Sequence, residues 1–348
     1  MNKSEEPFVS VVTPVYNGEA FISECIESVL AQTYQNFEYL IVNNCSTDRT
    51  SYIINKYAKL DSRIRIHNNT NFLTSLQNQN FSMTLIPRKS KYCKVVHADD
   101  WLFPECITKM VELAETDSSI GIVGSFMLIG RFVYCDGLPP PKGNSGSQYP
   151  TKIFSGRDIC RIDTYRSNRP SVFGNPTTIL LRSEIILNRN KPFYDEEHFF
   201  MDRDACYRIL QRYNFGFIYQ VLSSMGKHEG QVHAPMDKIQ SWVAFRFYLL
   251  RKYGRAYLEE DEYNKLLHEK FKEYCSFLKD NSLRRINFRK EKDFWNYHLK
   301  YLSLSGFPIS KKKIILLAIS KSLDIILNPK QAFEMIMRKV YFKSSEKR

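Results

Sequence analysis

Along the first 125 positions the apolar residues repeatedly switch period, from short β-branched runs to a three–four spacing and back. Phe8 to Thr13 (FVSVVT) predicts a strand closed by Pro14. Ala20 to Gln32 carries apolar side chains at 21, 22, 25, 26, 29 and 30, a helical stripe. Phe37 to Val42 reads as a second strand and Asp48 to Leu60 as a second helix, capped by Ser46, Thr47 or Asp48. Ile64 to His67 and Tyr92 to His97 predict strands on either side of a polar stretch, Asn68 to Asn80, that leads into a helix. Pro104 opens a helix to about Glu115, and Ile120 to Ser125 begins a fifth strand. Repeated β-α-β units of this size imply a mostly parallel sheet flanked by helices.

Beyond these units, Gly137 to Pro150 is a loop rich in Pro, Gly and Ser. Thr177 to Leu181 predicts a strand, Arg203 to Tyr213 a helix and Phe215 to Met225 another strand. From about Lys238 the pattern is helical and charged, with breaks at Gly306 to Pro308 and at Asn328-Pro329. The expected organisation is an α/β domain over 1–237 and a basic helical region over 238–348.

Charge divides the chain in the same place. Residues 1–239 hold 26 Lys and Arg against 25 Asp and Glu, whereas residues 240–348 hold 24 against 12. The formal charge of +13 therefore belongs to the last third, and no nucleic-acid recognition motif accompanies it. Nucleic acid is not an expected partner. Eight cysteines are scattered without a Cys-x-x-Cys pair, which excludes a zinc ribbon or a small disulfide scaffold. No apolar core of signal-peptide length opens the chain and no run reaches membrane-span length, so the expected compartment is the cytoplasm.

An open α/β sheet places its site outside the carboxyl ends of its strands. Polar residues gather there: Thr13 to Asn17, Asn43 to Asp48, Asn68 to Asn80 and His97 to Asp100. No Gly-x-Gly-x-x-Gly follows the first strand and no Gly-Lys-Ser/Thr occurs, so dinucleotide and P-loop folds lose their support. Asp99-Asp100 is the sharpest feature. Adjacent acids at a strand end repel unless a cation offsets them, and Mg2+ or Mn2+ prefers one or two carboxylates plus substrate phosphates. The alternative is a helix N-cap, with Asp99 or Asp100 capping the turn before Pro104.

Three linked motifs, Thr13-Pro-x-Tyr-Asn17, Val42-Asn-Asn-Cys-Ser-Thr-Asp48 and Val96-His-Ala-Asp-Asp-Trp-Leu-Phe-Pro104, together resemble glycosyltransferase family 2, whose members are inverting enzymes of GT-A fold. The resemblance covers about residues 7–235. It implies transfer of a sugar from a nucleotide-diphosphate sugar, UDP-linked by preference, to a hydroxyl of a glycan or lipid-linked glycan in bacterial surface polysaccharide synthesis. Pro14 and Tyr16 would then lie against the nucleoside, and Asn44 would stand where an acid usually accepts the base's imide hydrogen. Asn78 lies in the segment that contacts the donor, Asp99 near the ribose or metal, and Asp100 would ligate Mn2+ or Mg2+. Asp202, opening the helix at Met201-Asp-Arg-Asp204, matches the catalytic base, and His228 would complete the metal or diphosphate site.

The chain departs from the pattern at Asn43 and Asn44, which replace acids, at His97, which replaces the first acid of Asp-x-Asp, and at Met201, which replaces a Glu. These departures keep a second reading open, a catalytically degenerate nucleotide-sugar-binding or scaffold protein. Residues 309–342 read as two helices with Ser310 as a cap, and Ile315, Ile319 and Leu323 form an apolar stripe bordered by Lys311, Lys312, Lys313 and Lys321. That pattern suits an interfacial helix on an anionic membrane, and equally a helix docked on its own domain.

Overall fold

The computed structural model describes residues 6–130, 132–134, 138, 150–166, 171–196, 200–226, 236, 238–282, 285, 290–310, 312, 313, 316 and 319. The chain separates into two compact units, residues 1–231 and 232–348.

In the first unit, β1 (Val9–Val15), β2 (Phe37–Asn43) and β3 (Ile64–Asn68) pair in parallel, and β4 (Tyr92–Val95) joins the other side of β1, also parallel. The linking helices are α1 (Ile22–Leu30), α2 (Thr50–Leu60) and α3 (Ser75–Thr84), and α4 (Cys106–Thr116) follows. Because the chain steps outward from β1 to β3 and then returns to the opposite flank, the strand order reverses between β1 and β4. That reversal leaves a crevice at their carboxyl ends.

The sheet continues through β5 (Asp100–Leu102), β6 (Ile120–Ile129), β7 (Phe132–Tyr134), β8 (Thr151–Phe154), β9 (Ile179–Arg182) and β10 (Asn214–Met225), in the order β3-β2-β1-β4-β9-β6-β10-β5, with β7 on β6 and β8 on β10. β6 and β10 are parallel, while β9 enters antiparallel between β4 and β6. The sheet is therefore parallel around β1 and mixed beyond β4. Helices α5 (Gly156–Tyr165), α6 (Glu184–Leu187) and α7 (Met201–Ile209) complete this unit. Strands buried on both faces account for the continuous apolar runs. Val9, Val11, Tyr39 and Ile41 pack with Ile22, Cys25, Ile26 and Val29 of α1, Ile54 of α2, and Ile107 and Met110 of α4.

Several element ends differ from the sequence expectation. α4 starts at Cys106 rather than at Pro104, and neither Asp99 nor Asp100 caps it, because Glu105 holds that position without a side-chain cap bond. Asp100 instead begins β5, antiparallel to the end of β10. Residues 177 and 178, expected in a strand, form with Pro176 a single 3-10 turn whose Asn175 side chain accepts from the Thr178 N–H. α7 starts two residues earlier and ends four residues sooner than its periodicity suggests. Most of the loop over 137–150 lies outside the described residues.

The second unit is helical: α8 (Ser241–Tyr257), α9 (Glu260–Ser282) and α10 (Lys292–Leu304). Its interior is aromatic, with Phe245 and Tyr248 against Tyr301, and Phe247 against Tyr274. His298 is fully enclosed between the Tyr274 hydroxyl and the Ile239 carbonyl, and burial pushes its imidazole down to about 4, which marks it as a neutral core group. Gly306 ends α10's following turn at a φ of 82°, a backbone that favours glycine. Among the described residues no helix is long and apolar enough to cross a membrane.

Candidate active site

The crevice at the β1–β4 reversal is built from four strand ends. After β1, Asn17 turns into the left-handed region and accepts from the Thr47 N–H at 2.8 Å, while its own N–H donates to Ser46 Oγ. Asp48 accepts from the N–H groups of Glu19 and Thr50. The loops after β1 and β2 are thus stitched together, and Tyr16 projects above them. Tyr16 and Phe72, both exposed, meet edge to face with centroids 4.9 Å apart, an aromatic pair at the mouth of the crevice. Pro14, half-buried, pairs in register with Val42 beneath them.

Asn44 is buried, and its amide serves the protein itself. Its Oδ1 accepts from Asn69 Nδ2 and from the Leu73 N–H, and its Nδ2 donates to the Leu73 carbonyl at 2.7 Å. Asn69 Nδ2 also donates to Asn78 Oδ1, which joins α3 to the same amide cluster. An acid at 44 would lose the Nδ2 donor to the Leu73 carbonyl, and an acid at 43 would lose the Nδ2 donor to Asn68 Oδ1, so each Asn that sets this chain apart from the motif has a local partner that needs an amide. The Asn69 Oδ1 left over is buried and has no partner among the described residues.

At the end of β4, His97, Asp99 and Asp100 bring ligand-type atoms within 4.8 Å of one another. Asp100 is buried. Its Oδ2 accepts from Thr177 Oγ1 at 2.6 Å and from Asn175 Nδ2, and its Oδ1 from the Gly226 N–H. Burial pushes its carboxyl upward, and neighbouring His97 opposes that rise. Gly226 has to be glycine, because a Cβ there would stand 2.0 Å from the Asp99 carbonyl oxygen. His97 Nδ1 lies 3.8 Å from Asp100, and its buried Nε2 has no hydrogen-bond partner among the described residues. An imidazole nitrogen left open beside two carboxylates fits a divalent cation. His97, which the sequence treats as a lost acid, thus re-enters as a candidate ligand.

Asp202 sits in the first turn of α7, one position inside a start at Met201, so it is not the cap; that residue is Phe200. Its Oδ1 accepts from the Arg203 N–H, and burial raises its carboxyl although His97 and Arg203 pull it down. The field of His97 at Asp202 ties the α7 terminus to the β4 cluster. Arg203 turns away and forks onto Asp163 of α5 at 2.8 and 2.5 Å, where the Tyr207 hydroxyl also donates. Reasoning from sequence passed over Asp163, Asn175 and Thr177. The Asn-Pro pair at 175–176 was a turn signal that could have exposed the last two. His228 lies outside the described residues.

Known proteins bear on this arrangement. Residues 10–152 match the family described as "Glycosyl transferase family 2". A curated relative from Haemophilus influenzae, an uncharacterized glycosyltransferase, is 30% identical over 205 residues, 56% of this chain and 60% of its own length. The chain therefore spans about 60% of that relative. Among solved structures, S. aureus TarS 1–349 in complex with UDP-GlcNAc superposes with a TM-score of 0.62 at 16% identity, covering 93% of this chain and 92% of that one. The Pyrobaculum calidifontis mannosyltransferase PcManGT, in complex with GDP-Man and Mn2+, gives 0.52 at 14% identity, covering 91% and 80%. Strand order, crevice and structural likeness agree on a GT-A-type fold, and residues 10–152 of it are similar to glycosyltransferase family 2.

Proposed function

We propose that this chain is an inverting hexosyltransferase that moves a sugar from a nucleotide-diphosphate sugar, UDP-linked by preference, to a hydroxyl of a glycan or lipid-linked glycan in bacterial surface polysaccharide synthesis. One observation carries the reading: the His97–Asp99–Asp100 cluster stands at the strand reversal within the electrostatic reach of Asp202. A Mn2+ or Mg2+ ion held by Asp100, with His97 and Asp99, would neutralise charge on the departing diphosphate. The nucleoside rests against Pro14, Tyr16 and Phe72, with Asn44 and Asn78 shaping the base pocket. Asp202 takes the proton from the acceptor hydroxyl as its oxygen bonds to the anomeric carbon. The carbon–oxygen bond to the diphosphate breaks at the same time, and its electron pair leaves on the phosphate oxygen. A single base and direct displacement invert the anomeric centre.

The retained Asp202 and the cluster of ligand-type atoms favour catalysis over a binding-only scaffold, because a carboxyl held above its ordinary range beside such a cluster suits a general base. We assign the enzyme to the cytoplasmic side, peripheral on the membrane that would hold a lipid-linked acceptor. Thermal shift across a panel of nucleotide-sugars with Mn2+, followed by nucleotide release with the stabilising donor, tests the reading. Stabilisation by one donor class with slow nucleotide release is expected; no shift with any donor would overturn it.

A further inference from the structure

Lys94 lies in the middle of β4 with no exposed surface, on a strand otherwise apolar. A buried ammonium is costly unless its hydrogens are met. Among the described residues no carboxylate pairs with it at ion-pair distance. Its Nζ donates to the Thr177 carbonyl at 2.5 Å and to the Ile179 carbonyl at 3.2 Å, and lies 3.6 Å from Met110 Sδ. The first two acceptors belong to the 3-10 turn and the start of β9. That turn then works on the candidate metal cluster from its other side. Thr177 Oγ1 donates to Asp100 Oδ2 at 2.6 Å and accepts the His97 N–H at 3.1 Å, while Asn175 Nδ2 reaches the same Asp100 oxygen. One residue thus connects Lys94 to the Asp100 carboxylate and the His97 backbone, its carbonyl to the lysine and its hydroxyl to the cluster.

A lysine is a costly way to fill an apolar strand position, and here its hydrogens serve two backbone carbonyls of the Asn175–Ile179 stretch rather than a counter-ion. The charge is therefore not explained by packing. Resting on the metal-dependent reading above, we propose that Lys94 is a positioning residue of the cation site: it clamps the Asn175–Thr178 turn so that Thr177 and Asn175 hold the Asp100 carboxylate and the His97 backbone in ligand geometry. Groups that orient a metal's direct ligands from behind typically account for 10- to 100-fold in metal affinity.

The test is Mn2+ affinity, read by the loss of the free-ion EPR signal on the full chain, alone and with UDP, beside a melting curve. Lys94→Met is expected to melt cooperatively above 25 °C and to bind Mn2+ at least tenfold more weakly. Thr177→Val, which cuts the hydroxyl link and leaves the carbonyl that Lys94 holds, should weaken Mn2+ to a similar extent. The double variant should be no worse than the weaker single, because both act through one turn. Lys94→Met with Mn2+ affinity within twofold of wild type overturns the proposal, as does a double variant whose losses simply add. Lys94→Gln serves as a second probe: if Lys94→Met fails to fold and Lys94→Gln folds and binds Mn2+ like wild type, or if both fail to fold, the lysine belongs to the core alone. A wild-type chain that binds no Mn2+ with or without UDP overturns the metal reading itself, an outcome distinct from these.

Discussion

Asp202 shows two local effects in opposition. A carboxylate in the first turn of a helix is stabilised by the positive end of the helix dipole, which lowers its pKa. Burial acts against this and wins, so the carboxyl stands above the ordinary range. A base must be ionised, so turnover is expected to fall as pH drops through that raised value, with the acid limb of kcat above the ~4 of a free carboxylate. The same sign governs stability. A folded-state pKa above the unfolded one means that ionising Asp202 costs stability as pH rises through the unfolded value. Asp202→Asn should then keep or raise the melting temperature at pH 7, leave UDP binding intact, and lower kcat at least tenfold, about 1.4 kcal/mol of barrier. A smaller loss of turnover removes Asp202 as the base. Asp100 predicts the opposite pattern: Asp100→Ala should abolish the gain in UDP affinity that Mn2+ gives. A Mn2+ effect that survives in that variant would exclude Asp100 as a ligand.

At the scale of elements, α5 and α7 are clasped through one buried carboxylate. Asp163, itself without exposed side-chain surface, takes Arg203 Nε and Nη2, the Tyr207 hydroxyl and the Val172 N–H. The start of α7, and Asp202 with it, depends on this junction. Asp163→Ala strands Arg203 in the interior, and breaking a buried pair from one side costs about 3–5 kcal/mol. The denaturation midpoint of the first unit should fall accordingly, with donor binding weakened before unfolding; an unchanged midpoint would show the clasp to be idle. None of this junction is visible as a motif, because its partners are 40 residues apart and each looks ordinary alone. What the sequence does carry is the β-α-β alternation around β1, since there period, caps and strand runs are local properties. The Asp99-Asp100 pair stood out as a short acidic string at a strand end, whereas Asp202 was singled out by the family resemblance alone. β5 was hidden, because three residues gain strand geometry only by pairing with β10. The role of Thr177 was hidden too, since Thr-Thr-Ile-Leu-Leu has a strand's composition and only the Asn175 cap and Lys94 turn its beginning into a 3-10 turn.

For the whole molecule the open quantity is where it works, and the charge distribution bears on it. The last third carries 24 basic residues against 12 acidic ones, a surplus that a helical unit with an aromatic core does not need for folding. The stripe over 309–342 lies largely outside the described residues, but its beginning is legible. Ser310 Oγ accepts from the Lys313 N–H, as an N-cap does, and Leu316 and Ile319 are 63% and 51% exposed beside Lys312 and Lys313. Apolar side chains exposed at three-residue spacing beside lysines form the surface that an interfacial helix lays on a bilayer. Each Lys or Arg near an anionic surface adds about 1 kcal/mol, and the attraction decays within a Debye length. The full chain is therefore expected to co-sediment with vesicles containing anionic lipid at low salt, to release as salt rises, and to ignore neutral vesicles. A chain lacking 309–348 should lose most of that binding while its nucleotide-sugar thermal shift stays intact, because the crevice lies in the other unit. Equal sedimentation of the two chains, or none by either at low salt, would assign the tail to the fold of its own unit instead.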